Sequence, residues 1–390
     1  MSAPREVVDN LLRKKPAERV ALMGSPWSDA MVAWVKQGYP TKMVYKEIGD
    51  QRWKPEDGMW EDVTEPGEYV EPVSSVEHFG YDMEGMGPWF DPLPIIGYSE
   101  IVEETDEWEV RRNGAGASLK YWKHKMGTPE HIDFRMTSRE IWERDYRPHL
   151  LNFDIKRLDM KALKKSWDEA NTRQCWKHFG HMFIWELMRQ SMGDVTMYTS
   201  LVQDPAWIHD FARVYTDLYK MNFKYIFENI GIPDGIWLYE DLGYKNGLFA
   251  SPKVLKELIF PYFTEMVDFF HSYDLPVVLH TCGSTAQAMP LIIEAGFDGV
   301  NPMERKAKDN EPFVFSEKYG DKIAFVGGFD VRILESNDRD LIRKEIIRYL
   351  NGMKSRKARL IFAEDHSLPP TIQYDTYRFA LDVYRENMMY

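Results

Sequence analysis

Cysteine is almost absent: Cys175 and Cys282 are the two thiols in 390 residues, and they stand far apart. That scarcity excludes a disulfide framework and makes a reducing compartment, the cytoplasm, the expectation. Long apolar runs are missing as well. No stretch approaches the roughly 18 apolar residues of a membrane span, and the charged opening "MSAPREVVDNLLRKKPAERV" lacks the apolar segment of a secretory leader. Basic runs are missing too. With 62 acidic against 49 basic residues the formal charge is −13. That balance repels phosphate backbones and anionic lipid, so no nucleic acid and no membrane is expected as a partner. There is no internal repeat, no low-complexity tract and no GxGxxG after an apolar run. The last absence argues against a doubly wound dinucleotide-binding sheet.

Aromatic side chains are abundant instead, at 14%, which suits either an aromatic-rich core or a cavity walled by flat side chains. The texture changes along the chain. Residues 1–150 are expected to form an N-terminal extension of helices, loops and short strands that packs on the rest and covers it. Helical patterns at 4–14 and 27–37 give way to Gly-, Pro- and Trp-studded segments, then to a hairpin over 108–134 turning at "NGAGAS". Residues 151–390 are expected to carry the main part of the fold. There "GIWLYED", "PVVLHTCG", "DGVNPME", "KIAFVGGFD" and "ARLIFAEDHS" alternate with helical stretches such as "SPKVLKELIFPYFTEMVDFFHSY". Such alternation means an α/β fold with a parallel sheet. Polar side chains gather at the ends of the apolar runs: Glu240 and Asp241, His280 and Cys282, Asn301 and Glu304, Asp330, Asp365 and His366. Their placement predicts a (β/α)8 TIM barrel, whose active sites lie at the C-terminal ends of its strands.

His280 and Cys282 are two residues apart on a strand, so their side chains share a face. Imidazole nitrogen and thiolate sulfur suit zinc, and Gly283 lets the chain turn away without crowding them. A cysteine–histidine nucleophilic pair and a merely well-packed turn are the competing readings. A metal needs a third ligand, for which His366 in "AEDHSLPP" is the best placed, with Asp241, Glu364 and Asp365 in reserve. Cys175 is expected to be buried, with His178 and His181 beside it at helix-like spacing as packing or surface residues.

The segment from about residue 235 onward resembles the uroporphyrinogen decarboxylase superfamily, and more closely its branch of corrinoid-dependent methyltransferases. The carriers are "YEDLGYKNGLFASP", "FPYF", "VVLHTCGS", "GFDGVNPME", "YGDKIAFVGGFD" and "EDHSLPP", in that order, with "NLLRKKPAERV" resembling the family's opening helix. The resemblance implies a TIM barrel. It also implies a catalytic zinc held by His-x-Cys and a later cysteine, positions that fall on His280, Cys282 and His366. The arginine-bearing segment that grips substrate carboxylates in true decarboxylases reads "ALMGSPWSDAMVAWVKQGYP" here, without arginine. No Asp-x-His-x-x-Gly corrinoid signature occurs, so the corrinoid (cobalamin) would belong to a separate corrinoid protein docking over the barrel mouth.

The leading expectation is therefore a zinc-dependent methyltransferase that moves a methyl group from a methoxylated aromatic compound to that cobalt. Glu240, Asp241 and Asp365 are the candidate acids, and Trp237, Tyr239, Tyr244, Asn301 and Phe329 the candidate substrate contacts. Asn301, Glu304 and Asp330 also read as loop caps or supports for the ligands. A methyltransferase acting on a thiol or tetrahydrofolate, a decarboxylase and a non-catalytic binding barrel are the alternatives. Self-association into a homodimer is compatible with all of them.

Overall fold

A computed structural model describes residues 2–87, 90–123 and 127–390. Its centre is an eight-stranded parallel sheet. The strands are β1 (Ala21–Leu22), β2 (Met83–Met86), β3 (Trp176–Met182), β4 (Gly235–Tyr239), β5 (Val277–His280), β6 (Gly299–Asn301), β7 (Ala324–Val326) and β8 (Leu360–Phe362). They stand side by side in chain order from β2 to β8, and β1 pairs with β8. Continuous apolar runs such as Val-Val-Leu and Leu-Ile-Phe form these strands because a parallel strand is covered on both faces.

The remaining seam, between β1 and β2, is closed by one carboxylate. The Asp82 backbone N–H donates to Leu22 O at 2.8 Å, and its side chain accepts from the Leu22 N–H at 2.7 Å. The Arg19 guanidinium donates to both Asp82 oxygens, at 2.6 and 2.8 Å. The result is a nearly closed (β/α)8 TIM barrel with helices around it.

Side-chain alternation divides the core in two. Ala21, Met83, Trp176, Trp237, Val278, Ala324, Val326 and Ile361 fill the barrel interior together with Val7, Val8, Leu11 and Leu12. The opening helix, Pro4–Leu12, thus plugs the N-terminal end of the barrel, with Leu12 against Gly299. The larger core lies between the strands and the outer helices, which include Ile184–Gln203, Pro205–Asn229, Phe260–His271, Arg339–Ser355 and Tyr374–Asn387.

Besides β1 and β2, the first third builds antiparallel pieces: Thr41–Lys46 with Gly67–Pro72, Gln51–Trp53 with Trp60–Asp62, and a four-stranded sheet of residues 99–134. The "NGAGAS" turn forms as expected. Asn113 Oδ1 accepts from the Ala115 and Ala117 N–H groups, and Gly116 takes a φ of +77° that favours glycine. One local expectation is corrected: His178 and His181 lie on β3, not on a helix. His178 faces inward and stacks on Trp237 at 5.1 Å; His181 faces out, against Phe90 and Tyr219.

The Arg19–Asp82 pair is buried on both sides, so removing one partner strands the other. Asp82→Ala is expected to lower unfolding stability by about 3–5 kcal/mol, read from urea denaturation. The double replacement Arg19→Met, Asp82→Leu should recover much of that loss.

Candidate metal centre

Register brings the site together before any side chain is placed. β4 and β5 pair with Tyr239 opposite His280, and β5 and β6 pair with His280 opposite Asn301. Alternation then points Trp237, Tyr239 and Asp241 inward from β4, as it does His280 and Cys282 from β5. His280 Nε2 lies 3.4 Å from Cys282 Sγ and 3.8 Å from Asp241 Oδ1. Donor atoms of Asp241, His280 and Cys282 lie within 4.8 Å of one another, the one such His/Cys/carboxylate group among the described residues. Bonds of about 2.0–2.3 Å in a tetrahedron separate ligand atoms by roughly 3.3–3.8 Å. One nitrogen, one sulfur and one oxygen therefore stand close to the spacing that zinc requires, and a fourth position remains open to solvent or substrate.

The surroundings fix the histidine's chemistry. Asn301 Nδ2 donates to Val326 O at 3.0 Å, which leaves Asn301 Oδ1 as the acceptor facing His280 Nδ1 at 2.6 Å. His280 Nδ1 must carry the proton, and Nε2 presents its lone pair to Cys282 and Asp241. The turn after β5 is held by carboxylates. Asp241 Oδ1 accepts the Cys282 N–H at 2.8 Å, and Glu304 Oε2 accepts the Gly283 N–H at 2.9 Å. Gly283 adopts a φ of +75°, and a Cβ there would lie 2.3 Å from the Gly243 carbonyl carbon. No other residue fits.

Electrostatics separates the metal reading from the nucleophile reading. Burial pushes the Cys282 thiol well above its usual range, and Asp241, Glu304, Asp365 and Glu186 push it further. A nucleophilic cysteine needs positive neighbours to hold its thiolate, whereas this thiol is surrounded by carboxylates. A divalent cation reverses that balance, because it neutralises the acidic ring and favours the thiolate. The residues fit a zinc ion.

Several expected site residues fall elsewhere. His366 is exposed on the rim of the same cavity, its ring 6.3 Å from that of Trp27, and it is not in the donor group. Asp241 stands in the third place instead. Glu240 is fully buried and points away from the cavity. Its carboxyl accepts the Phe183 and Trp185 N–H groups at the start of the helix Ile184–Gln203, and burial, with Glu186 next, pushes it well above the carboxylate range. Asp365 borders the cavity, but its two oxygens accept from the Arg305 and Val331 N–H groups. It ties the loops after β6, β7 and β8 together. Phe329 packs in the outer core against Tyr349 and Phe362, and Tyr244 is 47% exposed on a hairpin. Neither reaches the cavity. Asp330 caps the short helix Val331–Glu335. Asn301 acts through His280.

One carboxylate near the site lay outside the expected set. Glu186 lies close to Asp241, and burial raises it to about 7 against the pull of Arg189, with which it pairs at 2.8 Å. Glu364, the reserve ligand, borders the cavity but is not in the donor group, and burial raises it to about 8.

The cavity above the donors has a volume of about 290 Å3. Trp27, Trp237 and Tyr239 give it flat walls, and no lysine or arginine is among the described residues that line it.

The uroporphyrinogen decarboxylase (URO-D) family model matches residues 185–387, more than half of the chain. The chain belongs to this family. Over 99% of both chains it superposes on a methyltransferase from Methanosarcina mazei, with a TM-score of 0.61 and 12% identity. At that identity the likeness bears on the fold. An endo-beta-1,4-xylanase from Gloeophyllum trabeum matches over 60% of this chain and 82% of its own, at 10% identity and a TM-score of 0.37, too low to argue from. No curated protein sequence matches.

Zinc should bind stoichiometrically to the wild type, and His280→Ala and Cys282→Ala should each abolish this in metal analysis. Asn301→Leu should bind zinc about 10–100-fold more weakly in chelator competition. Since the Cys282 thiol is protonated at neutral pH, zinc must displace its proton. Binding should then release about one proton from this group and tighten about tenfold per pH unit.

Proposed function

We propose that this member of the URO-D family is a zinc-dependent methyltransferase, which takes the methyl group of a methoxylated aromatic compound and delivers it to the cobalt of a separate corrinoid protein. One observation carries the reading: a nitrogen, a sulfur and an oxygen donor converge at one side of an aromatic-walled cavity lined by no described cation. Zinc bound there would supply Lewis acidity to an ether or phenol oxygen.

The chain's own residues do the rest. Asp241, His280 and Cys282 would hold the ion, and Asn301 keeps His280 in the tautomer that can do so. Trp27, Trp237 and Tyr239 offer faces and edges for a single aromatic ring, which packs favourably by offset or edge contacts. About 290 Å3 lies at the lower end of the roughly 300–1,000 Å3 of small-molecule sites, a scale that suits one ring. Decarboxylation of a porphyrinogen is disfavoured by the same cavity, since several substrate carboxylates would meet Asp241 and Asp365 with no arginine or lysine among the described lining residues to offset them.

The protein mixed with a cobalt(I) corrinoid protein and a panel of methoxyarenes should convert the cobalt spectrum to that of methyl-cobalt(III). His280→Ala should lose this conversion. A broad panel without any conversion, using zinc-loaded protein, would overturn the proposal.

A further inference from the structure

The rim of the barrel beside the metal donors carries a charge opposite to that of the chain as a whole. Three loops are fastened together there. The hairpin after β4 gives Tyr244 O to the Ser284 N–H at 2.9 Å and Lys245 O to the Lys308 N–H at 2.8 Å. The Ser284 hydroxyl donates to Lys308 O at 2.7 Å, and Asn310 Nδ2 donates to Gly283 O at 2.8 Å. The loop after β6 also meets the cavity edge, where the Arg305 N–H donates to Asp365 at 2.7 Å. Hydrogen bonds thus tie the loops after β4, β5 and β6 into one platform, which starts at the turn that follows Cys282.

Lys245, Lys306 and Lys308 are exposed on this platform, and no carboxylate of the described residues lies within ion-pair distance of them. The neighbouring acids are committed. Glu304 accepts the Gly283 N–H, Glu311 pairs with Arg305 at 2.9 Å, and Asp365 holds two backbone N–H groups. Three uncompensated lysines therefore stand against one exposed acid, Asp309. Tyr244 lies next to Lys245, 47% exposed, with its ring 5.6 Å from that of Phe249.

A chain of net charge −13 repels an acidic protein over most of its surface. Charges more than the roughly 8 Å Debye length of physiological salt apart are largely screened, so at close range a local patch decides where such a protein settles. The cavity of about 290 Å3 has room for one ring. A corrin macrocycle must stay outside it, and its carrier must rest on the rim.

We infer that Tyr244, Lys245, Lys306 and Lys308 form the docking surface for an acidic face of the corrinoid protein. The identity of the partner rests on the methyl-transfer reading. The lysines steer and orient that protein, and Tyr244 is the anchor that packs against it.

The test measures calorimetric binding of the zinc-loaded protein to each corrinoid protein purified from the source organism, together with methyl transfer to it and to free cob(I)alamin. One corrinoid protein should bind, and binding should weaken about tenfold or more as ionic strength rises from about 20 to about 300 mM. Lys245→Glu with Lys308→Glu should weaken low-salt binding about tenfold or more and flatten the salt dependence. Its zinc content and its methyl transfer to free cob(I)alamin should match the wild type. Tyr244→Ala should weaken binding about fivefold or more at both ionic strengths. Lys224→Glu with Lys318→Glu makes the same charge change on helices that lead into the starts of β4 and β7, at the opposite end of the barrel, and should change little. An equal loss in that control would reduce the effect to net charge and overturn the inference. So would the absence of any corrinoid protein that binds at low ionic strength, or binding indifferent to salt and to the double reversal. Should the double reversal not fold, Lys245→Gln with Lys308→Gln must still weaken low-salt binding about threefold or more. Salt-sensitive docking without methyl transfer from any methoxyarene would sink the methyl-transfer reading and leave the docking surface standing.

Discussion

Tyr239, His280 and Asn301 lie side by side on β4, β5 and β6, paired residue for residue. That row is the constraint on which the candidate site rests. Parallel strands alternate their side chains with a period of two, so slipping one strand by one residue would send its inward set to the helices. The row fixes Asn301 beside His280, fixes which imidazole nitrogen carries the proton, and leaves the other beside the thiol of Cys282. Asp241 joins because it is two residues beyond Tyr239 and therefore faces the same way. The apolar runs that form the strands are thus also the positioning device for the donors, and the helical plug Pro4–Leu12 holds the barrel interior from below.

The charges around the site are arranged in two tiers. Asp241 and Glu304 hold the turn at Cys282 and Gly283. Behind them Glu186 and Glu240 meet at the start of the helix Ile184–Gln203, where N–H groups and the positive end of the helix dipole moderate the burial of a carboxylate. Glu240 is the clearer case, accepting from Phe183 and Trp185. A site this acidic has a reason to exist when a divalent ion belongs in it, and it holds the thiol protonated otherwise.

Much of the fold was legible in the sequence, because the strand–helix alternation after residue 175 is local and each apolar run is bounded by turn chemistry. The His-x-Cys pair was legible for the same reason: two residues on one strand face must share their surroundings. Glu240 was misassigned through neglect of that same rule, one residue out of phase with the inward Trp237 and Tyr239. Phe329 follows Gly327 and Gly328, whose φ of +99° and +82° turn the chain before it. Tyr244 and His366, like Phe329, lie beyond the barrel strands, where alternation lapses and loop geometry decides, and a short-range pattern carries no such information. The Tyr81–Tyr377 hydroxyl pair joins residues nearly 300 positions apart, so nothing in any one segment announces it.

The donor set itself bears on the chemistry proposed. Each thiolate ligand delivers electron density to zinc and softens it, which suits a site that must present a reactive thiolate. A set of one thiolate, one imidazole and one carboxylate is harder, and a harder ion favours oxygen over sulfur at its open position. An ether or phenol oxygen is a weak ligand and a poor leaving group until its developing charge is stabilised, so it gains most from such an ion. A polyanionic tetrapyrrole fits neither the size nor the charge of the cavity, so the donor set and the cavity, rather than the family, support the proposed methyl transfer over decarboxylation.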